Sequence, residues 1–484
     1  MATYYGIDFG TTNSAVHAIT SIGEEIDDEF DIGENDRRPL PSFVAIHKET
    51  GEIVTGLDAK GSITDGDEYQ IFSSIKSIIG EDREWVIAGK IWTPVDIAAE
   101  LFRALKKKAE NSTHDDMVEA VVAVPVGFSS KKKNNIRKAA MKAGIKILMF
   151  VSEPTAAYCG RASEMRKYRN IAVFDWGGGT LDVVVLRIDG NIVHELSATG
   201  IPMAGNDIDR RLAERVCTNV SSKWEDNFTF EDLSQKVQLR LLQKCEQAKC
   251  DLADEDIVTI MDANLDGHGM MMEKIDYPYF SLLIEKEINQ AIDCLMYALK
   301  SAGMNSESID CILCEGGSSR LRPLQEKLLK LFNREKLIFP KKAMWDIATG
   351  VAQICYKPGC YTLNKPIGLM LSDNTFYPLL KVGQRVPTEE KTLTFGIIDG
   401  SDEARFIISD GEKNNESLGT FSVKIRGFSD EVIKVSCYID ADMVFRMKIR
   451  SNRMPDDYFR VWTYSNLKVS YEIDAPELEQ NKKQ

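Results

Sequence analysis

Two short segments rich in glycine and threonine carry the residue types in this sequence that are best suited to binding a charged ligand. The first, DFGTTN, runs from Asp8 to Asn13, and the second, DWGGGT, runs from Asp175 to Thr180. Glycine lets a backbone approach a ligand without a Cβ clash, and a tight turn presents several amide N–H groups to an anion. Each segment begins with an aspartate, whose carboxylate oxygens suit magnesium. Two such turns facing each other predict a clamp for phosphates and a magnesium ion.

The residues of both turns are assigned to this one ligand. Asp8 and Asp175 are the predicted metal ligands, either directly or through water. Threonine hydroxyls add hydrogen-bond donors to the backbone amides. The residues predicted to hold the phosphate-bearing cofactor are Gly10, Thr11, Thr12, Asn13, Gly177, Gly178, Gly179 and Thr180.

Other interpretations of a glycine-rich turn were weighed. A single turn of this kind would be read as an ordinary hairpin. The sequence has neither GxxxxGK[ST] nor GxGxxG, so a P-loop and a dinucleotide-binding fold lack support. The layout of residues 4–20, a strand, a turn and a second strand, returns at 171–188. This weak internal duplication implies two similar lobes.

Composition argues against several classes of function. The chain has 484 residues, 43% hydrophobic content and a net charge of −14, which suits about two to four domains with sizeable cores. The negative charge speaks against a nucleic acid or an anionic membrane as the main partner. The first residues lack a signal-peptide pattern, and no apolar run reaches the roughly 18 residues of a membrane span, so the expected location is cytoplasmic.

The ten cysteines are scattered along the chain, often on apolar stretches. That distribution is typical of reduced, buried thiols. The one close pair, Cys311 and Cys314, falls in a predicted buried strand and has no companion CxxC, which disfavours a metal site there.

Strands alternate with helices through the first 355 residues. Pro94 opens a predicted helix whose buried stripe is Ile97, Leu101 and Leu105. A short buried strand is predicted at 119–124 and another at 309–314. Further helices are predicted at 129–143, near 206–222, 233–253 and 281–302, and from about residue 322. This alternation predicts an α/β domain at 1–355.

The pattern changes after about residue 355, where Lys357-Pro358-Gly359 is a plausible boundary. Period-2 alternation then predominates, first from Phe421 to Ile425, next from Met443 to Ile449, and last from Leu467 to Ile473. It predicts a smaller all-β domain, a sandwich, at 361–476, followed by a polar tail at 477–484.

Several motifs occur in an order that one known family shares. The pair DFGTTNSAV and FDWGGGTLDV resembles the actin, sugar-kinase and 70-kDa heat-shock-protein superfamily, and specifically its heat-shock chaperone branch. Five further segments are similar to that family, namely FSSIKSIIG, AVVAVPVGFSSKKKNNIRKAA, VSEPTAAY, ILCEGGSSRLRPLQ and YPLLKVGQRVPTEEKTLTF. The resemblance covers residues 3 to about 350 firmly and the β domain more weakly. It implies an actin-like, two-lobed ATPase with ribonuclease-H-like duplicated lobes, followed by a peptide-binding β-sandwich.

The resemblance also implies roles for single residues in ATP hydrolysis. Lys76 would lie by the γ-phosphate and orient the attacking water, and Glu153 and Asp182 would position water or metal. Pro125 and Lys133 would report the state of the nucleotide to the β domain. The alternatives are that Lys76 is an exposed helix lysine, that Asp182 is a strand residue facing solvent, and that Pro125 only ends a strand.

The adenosine-binding residues that the resemblance implies are Glu246, Lys249, Gly316, Gly317, Ser318 and Arg320. The sequence departs from the family here. Cys250 stands where the family has a base-stacking arginine, Ala253 replaces a serine, and Met344 replaces an acid. Loss of the guanidinium removes roughly 0.5–2 kcal/mol of stacking and cation–π energy. Weaker or less selective adenine binding is therefore expected.

Three further departures concern coupling and partners. The family's leucine-rich acidic linker is replaced by CYKPGCYTLNKPIGLML, and Met149 to Ser152 replace a segment with an arginine that engages J-domain partners. No helical lid follows the β domain in this sequence, so a bound peptide is expected to exchange quickly. The implied partners are unfolded or extended polypeptide clients, with a nucleotide-exchange factor as a candidate and standard J-domain coupling disfavoured.

Three functions remain open on the sequence. The first is an ATP-dependent chaperone, in which a slow ATP hydrolase domain controls polypeptide binding by the β domain. The second is a nucleotide-controlled protein with one dedicated partner and weak or no ATPase activity. The third is a filament-forming or small-molecule kinase member of the superfamily, which the added β domain disfavours.

Overall fold

The structure is a computed structural model, and it describes residues 2–63, 67–341, 343–359, 361–397, 402–411, 417–455, 457–465 and 467–472. The predicted tail at 477–484 and the last four residues of the predicted β domain lie outside this range. None of the helices among the described residues combines the length and the apolar character needed to cross a bilayer.

The described elements are given in chain order. The strands are β1 (Ala2–Phe9), β2 (Asn13–Ile22), β3 (Glu25–Ile32), β4 (Leu40–Pro41), β5 (Val44–His47), β6 (Ile53–Thr55), β7 (Tyr69–Phe72), β8 (Trp85–Ile87), β9 (Lys90–Trp92), β10 (Glu119–Val124), β11 (Lys146–Ser152), β12 (Asn170–Trp176), β13 (Leu181–Asp189), β14 (Ile192–Ile201), β15 (Ile257–Asp262), β16 (Met271–Asp276), β17 (Cys311–Glu315), β18 (Leu337–Ile338), β19 (Tyr361–Leu363), β20 (Ile367–Met370), β21 (Phe376–Leu380), β22 (Lys391–Gly396), β23 (Glu403–Ser409), β24 (Gly419–Lys424), β25 (Val432–Ile439), β26 (Phe445–Ser451), β27 (Arg460–Tyr464) and β28 (Val469–Glu472). The α-helices are α1 (Gly56–Gly61), α2 (Ile75–Ile78), α3 (Pro94–Thr113), α4 (Ser130–Lys142), α5 (Glu153–Gly160), α6 (Ala162–Met165), α7 (Gly205–Trp224), α8 (Gln235–Asp251), α9 (Tyr277–Leu283), α10 (Glu285–Ser301), α11 (Arg322–Leu331) and α12 (Ala343–Tyr356). Short 3₁₀ helices lie at Phe230–Asp232, Gly317–Arg320 and Arg334–Lys336.

The chain forms two compact units. The first comprises Met1–Val126, Lys131–Val185 and Thr199–Lys357, and the second comprises Gly127–Ser130, Leu186–Ala198 and Pro358–Gln484.

A repeated sheet layout organises the α/β part of the chain. The strand order β11-β10-β1-β2-β3 in one sheet returns as β18-β17-β12-β13-β14 in another. In each copy the first strand forms an antiparallel hairpin with the next strand along the chain and a parallel pair with a later strand, β1 with β10 and β12 with β17. The duplication expected from the sequence is present in the topology.

Helices α5 and α12 cross at a close glycine contact. A Cβ atom on Gly350 of α12 would lie 1.8 Å from the carbonyl oxygen of Ala156, and one on Gly160 would lie 2.2 Å from that of Asp346. Gly6 of β1 makes a similar approach, because its Cβ would lie 2.2 Å from the Ala352 amide nitrogen. Because glycine has no side chain, the two helices and the strand can pack with their backbones in direct contact.

Most predicted elements of the first unit are found, with one correction. Ile97, Leu101 and Leu105 are fully buried on α3, which begins at Pro94 as predicted. The predicted helix at 281–302 is wrong as a single element, since α9 and α10 replace it. Asp276 caps α9 by accepting a hydrogen bond from the Tyr279 amide, so the first of the two helices starts at Tyr277, before the predicted range.

The second unit is rich in β-strands, and two antiparallel sheets contain most of them. Their orders are β21-β20-β23-β24 and β22-β25-β26-β27. The rings of Tyr377 and Phe395, one from each sheet, lie 5.5 Å apart. On β26 the predicted core residues Phe445, Met447 and Ile449 are fully buried, but Met443 lies in a turn with φ 58° and not in the predicted strand.

The last described strand lies outside the two antiparallel sheets. β28 lies between β14 and β19 and is antiparallel to both. Its residue Tyr471 is opposite both Val193 and Tyr361. The predicted alternating stretch from Leu467 therefore joins neither of those two sheets, while Ile473 lies outside the described residues.

Candidate active site

The two glycine- and threonine-rich turns face each other. A Cβ atom on Gly178 would lie 2.0 Å from Thr12 Oγ1, and one on Gly179 would lie 2.5 Å from Thr11 Oγ1. Both distances are far below van der Waals contact, so glycine fits at these positions where a larger residue would displace the threonines. The structure thus brings together the two segments that the sequence analysis paired.

The hydroxyl of Thr12 can form a hydrogen bond to a ligand. Thr12 Oγ1 is buried and has no hydrogen-bond partner among the described residues. Leaving such a group unpaired costs about 1–3 kcal/mol, which a bound oxyanion could recover. Gly10 tightens the same turn, since its Cβ would lie 1.9 Å from the carbonyl oxygen of Asn13. Asn13 itself is exposed and is not among the buried groups.

A buried ion pair lies beside the turns. Lys76 belongs to α2, Glu153 is the first residue of α5, and Lys76 Nζ bonds to Glu153 Oε1. Only 3% of Lys76 and 6% of Glu153 is exposed. The alternative that Lys76 is an exposed helix lysine is therefore wrong.

Three aspartates surround this pair with excess negative charge. Burial, followed by the charge of Glu153, raises the pKa of Asp8 to about 7 and that of Asp182 to about 8. The same two causes raise the pKa of Asp175 well above its ordinary value. Burial alone would lower the pKa of Lys76, but Glu153 and Asp8 outweigh it and raise that pKa. Several carboxylates around one ammonium group form a site that an added cation would relieve.

The donor set fits magnesium held partly by other ligands. Within the described ranges, no group of three or more His, Cys, Asp or Glu side chains is arranged to hold a metal ion. Magnesium usually keeps several waters and binds one or two carboxylates together with phosphate oxygens. Asp8 and Asp175, at the ends of β1 and β12, suit that role and stay predicted ligands.

Asp182 joins the site to the segment around Pro125. It is 1% exposed, so the alternative of a solvent-facing strand residue is wrong. Its Oδ1 accepts a 2.9 Å hydrogen bond from the Val126 amide, directly after the proline. Hydrogen bonds from Thr180 and Val126 oppose the rise in the pKa of Asp182. Pro125 follows β10, and Lys133 is buried on α4.

Gly205, at the start of α7, forms hydrogen bonds with two of the predicted residues. Its amide donates to the Gly177 carbonyl at 3.1 Å, and its own carbonyl accepts from Lys249 Nζ at 3.1 Å. Ser318 Oγ also donates to the Gly177 carbonyl, at 2.8 Å. Asp209 holds Lys249 by a 2.8 Å ion pair. The structure therefore links two predicted adenosine-binding residues to the second glycine-rich turn.

The other predicted adenosine-binding residues make different contacts. Glu246 forms an ion pair with Lys60 at 3.3 Å. Arg320 is exposed and donates to the carbonyls of Pro340 and Lys341. Gly316 has φ 78°, and a Cβ there would lie 2.7 Å from Asp175 Oδ1. No atom lies within 4 Å of a Cβ placed on Gly317.

The three departures from the family's base-binding residues are at or near the surface. Cys250 and Met344 are exposed, and Ala253 is partly exposed. Helix α8 ends at Asp251, so Ala253 lies beyond the helix that the motif predicted. None of these three side chains can provide the guanidinium that stacks on a base.

Several residues of the site were missed on the sequence. Asp209, Lys60 and Asn206 contact predicted residues across long separations. Glu315, fully buried beside Asp175 in the β12–β17 pair, lies 3.8 Å from Arg161. Only Asn206 could have been found from a local signal. It lies in Gly205-Asn206-Asp207, and glycine with polar residues at the start of a helix is suited to binding anions.

A comparison with models of protein families matches residues 4–454 to the family described as Hsp70 protein. That range includes both glycine-rich turns, the Lys76–Glu153 pair and most of the β-rich unit. It agrees with the resemblance that the ordered motifs carry, and it extends over much more than half of the chain. The chain belongs to the Hsp70 protein family.

Proposed function

We propose that this protein is an ATP-dependent chaperone in which slow ATP hydrolysis controls the binding of polypeptide clients. The observation that carries the proposal is the pair of facing turns with the buried Lys76–Glu153 pair beside them. Family membership supports it, since Hsp70 proteins in general bind and hydrolyse ATP. The proposed architecture is an actin-like, two-lobed ATPase domain at 1–355 with ribonuclease-H-like lobes, followed by a β-sandwich at 361–476.

The phosphates of ATP would be held by the turns. Thr12 Oγ1 and the backbone amides at 10–12 and 178–180 would donate to phosphate oxygens. Asp8 and Asp175 would hold magnesium, which neutralises charge on the phosphates when bound. Gly178 and Gly179 leave room for the opposite turn, so that both turns can approach one ligand. The unpaired buried hydroxyl and the excess of carboxylates both suit this occupant.

Hydrolysis requires a positioned water. Lys76 is the group proposed to orient it, because a buried ammonium held by Glu153 has a fixed position and little water to screen it. Asp182 would accept a hydrogen bond from the water through Oδ2, which is buried without a partner among the described residues. Its other oxygen is already fixed by the Val126 amide.

The second unit is the proposed client-binding part. Its two packed antiparallel sheets are suited to extended polypeptide, which can pair with strand edges. Unfolded clients, a nucleotide-exchange factor and a cytoplasmic location belong to the same proposal. Standard J-domain coupling is not included, because Met149 to Ser152 replace the segment that carries the relevant arginine in the family.

Steady-state turnover of magnesium-ATP tests the enzymatic half of the proposal. Lys76→Ala should lower kcat by about 100-fold, a typical loss for a group that stabilises developing charge. Asp175→Asn should raise the magnesium concentration needed for half-maximal turnover. Lys107→Ala is the matched control, an exposed lysine on α3. Equal rates in all four proteins would show that the site is assigned wrongly.

Peptide affinity measured with and without ATP tests the coupling. An extended apolar peptide should bind more weakly when ATP is present. An affinity that does not respond to nucleotide would contradict the chaperone proposal while leaving the ATPase intact.

A second candidate is a nucleotide-controlled protein with one dedicated partner and little hydrolysis. The replaced linker and the replaced J-domain segment at Met149 to Ser152 favour it, because both belong to the coupling that an ordinary chaperone of the family needs. Affinity capture with the ATP-bound protein distinguishes the two. A single stoichiometric partner supports this candidate, and a broad set of unfolded clients supports the chaperone.

A further inference from the structure

Asn206 contacts two separate segments of the candidate site, the second glycine-rich turn and the segment before Lys76. It is the second residue of α7, and its backbone amide donates to the Gly178 carbonyl at 2.8 Å. Its side-chain Nδ2 donates to Ser74 Oγ at 2.9 Å. A Cβ on Gly178 would lie 3.2 Å from Asn206 Oδ1. One residue therefore contacts the second phosphate turn with its backbone and the segment before Lys76 with its side chain.

Ser74 has an unusual conformation for this contact. Its φ is 54°, in the left-handed region that residues with a side chain seldom adopt. It lies at the start of α2, but its hydroxyl makes no capping bond to that helix. The hydroxyl instead accepts the hydrogen bond from Asn206. Because Lys76 is two residues further on, the conformation of Ser74 sets where the short α2 begins and where the Lys76 side chain starts.

We propose that Asn206 is a positioning residue, which holds the Lys76 segment against the second phosphate turn through Ser74. This inference rests on the proposed ATPase function. Neither Asn206 Nδ2 nor Ser74 Oγ is assigned to the reacting atoms. Their hydrogen bond fixes the distance between the Lys76 ammonium and the Gly178 backbone, two parts of the site that the chain places far apart in sequence. Reaction rates fall steeply when such distances change by about 1 Å.

The test combines three variants in turnover assays with magnesium-ATP. Asn206→Ala should lower kcat by about fivefold to tenfold, the loss of one positioning hydrogen bond, with KM changed by less than about twofold. Ser74→Gly keeps the left-handed backbone available and removes the CH₂OH side chain with its hydroxyl, so it should lose the same factor. The double variant should be no worse than either single one, because both remove one interaction.

Asn219→Ala is the matched control. Asn219 lies on the same helix and donates to Glu273, away from the turns, so its variant should retain wild-type kcat. Wild-type kcat in Asn206→Ala or in Ser74→Gly, or losses that multiply in the double variant, would overturn the proposal.

A second readout needs no catalysis. Amide hydrogen exchange of the nucleotide-free protein should be faster at residues 75–81 in Asn206→Ala than in the wild type, with no change in Asn219→Ala. Faster exchange in a protein that does not hydrolyse ATP would refute the proposed function and keep the Asn206–Ser74 link. Unchanged exchange would refute the link even if the protein is an ATPase.

Discussion

At the scale of single residues, the site contains more buried carboxylates than cationic groups to neutralise them. Asp8, Asp175 and Asp182 lie around Lys76, whose ammonium is already paired with Glu153. Burial and the charge of Glu153 raise the pKa of each aspartate. The aspartates therefore bind protons more readily, and each proton reduces the negative charge of the site. Proton uptake and cation binding are thus alternative ways of neutralising the same groups.

Asp182 makes the stability of the nucleotide-free protein depend on pH. Its pKa is about 8 in the folded protein and near 4 when unfolded, so the folded state binds more protons between these values. Stability should therefore fall as pH rises from 6 to 8. Asp182→Asn should reduce that fall by at least about 1 kcal/mol. Denaturant unfolding of both proteins at pH 6 and pH 8 measures it, and parallel losses would contradict the assignment.

Gly178 should tolerate no side chain. In Gly178→Ala the new methyl group would lie 2.0 Å from Thr12 Oγ1, so one turn has to move. ATP affinity should fall by about tenfold or more, the effect of displacing several phosphate donors together. Gly396→Ala is the control, because the described residues other than its chain neighbours place no atom within 4 Å of the new methyl group, and isothermal titration with ATP and magnesium measures both. Comparable affinities would show that the turns do not hold the ligand together.

At the scale of elements, the crossing of α5 and α12 positions half of the site. α5 begins with Glu153, and α12 packs against β1, which carries Asp8. Gly350 gives the crossing its short distance. The direction of the Glu153 side chain thus depends on a contact between two backbones.

Gly350→Ala should disturb this crossing strongly. Its Cβ would lie 1.8 Å from the Ala156 carbonyl oxygen, and backbone atoms cannot yield as a flexible side chain can. Overpacking of this kind costs about 1–3 kcal/mol or more. Urea unfolding should show the loss. Gly396→Ala is the comparison, because the described residues other than its chain neighbours place no atom within 4 Å of the new methyl group. Equal midpoints would mean that the helices can separate at little cost.

The hairpins were predictable because their signal is local. Gly10, Thr11 and Thr12 occupy one turn, and the return of the same pattern at Gly177–Thr180 indicated a second. The links to Asp209, Lys60 and Ser74 could not be predicted, since each joins segments that no short-range pattern relates. The start of α9 at Tyr277 was missed, although Asp276 as capping residue and a proline in the first turn are local signals of a helix start.

At the scale of the molecule, a segment from the middle of the chain folds with its last described strand. Residues Leu186–Ala198 belong to the second unit, where β14 pairs with β28. His194 Nδ1 and Ser470 Oγ lie 2.8 Å apart, and Asn364 donates to the Glu195 carbonyl.

Tyr471→Ala should therefore destabilise residues that are distant from it in the sequence. Tyr471 is 2% exposed and lies opposite Val193, and truncating a buried aromatic side chain costs about 3–5 kcal/mol. Hydrogen exchange at 186–198 should accelerate. Val461→Ala, at an exposed position of β27, should leave that exchange unchanged. Acceleration confined to residues after 358 would contradict the shared sheet.

The closeness of the two turns also limits how the sequence can evolve. Thr12 and Gly178 occupy a space with no room for one further methyl group, although they are encoded far apart in the gene. A larger residue at position 178 can be accepted only after position 12 has become smaller. Selection from a library randomised at both positions should then return correlated pairs whose combined volume is nearly constant, and each half of the duplicated sheet layout would restrict the mutations open to the other.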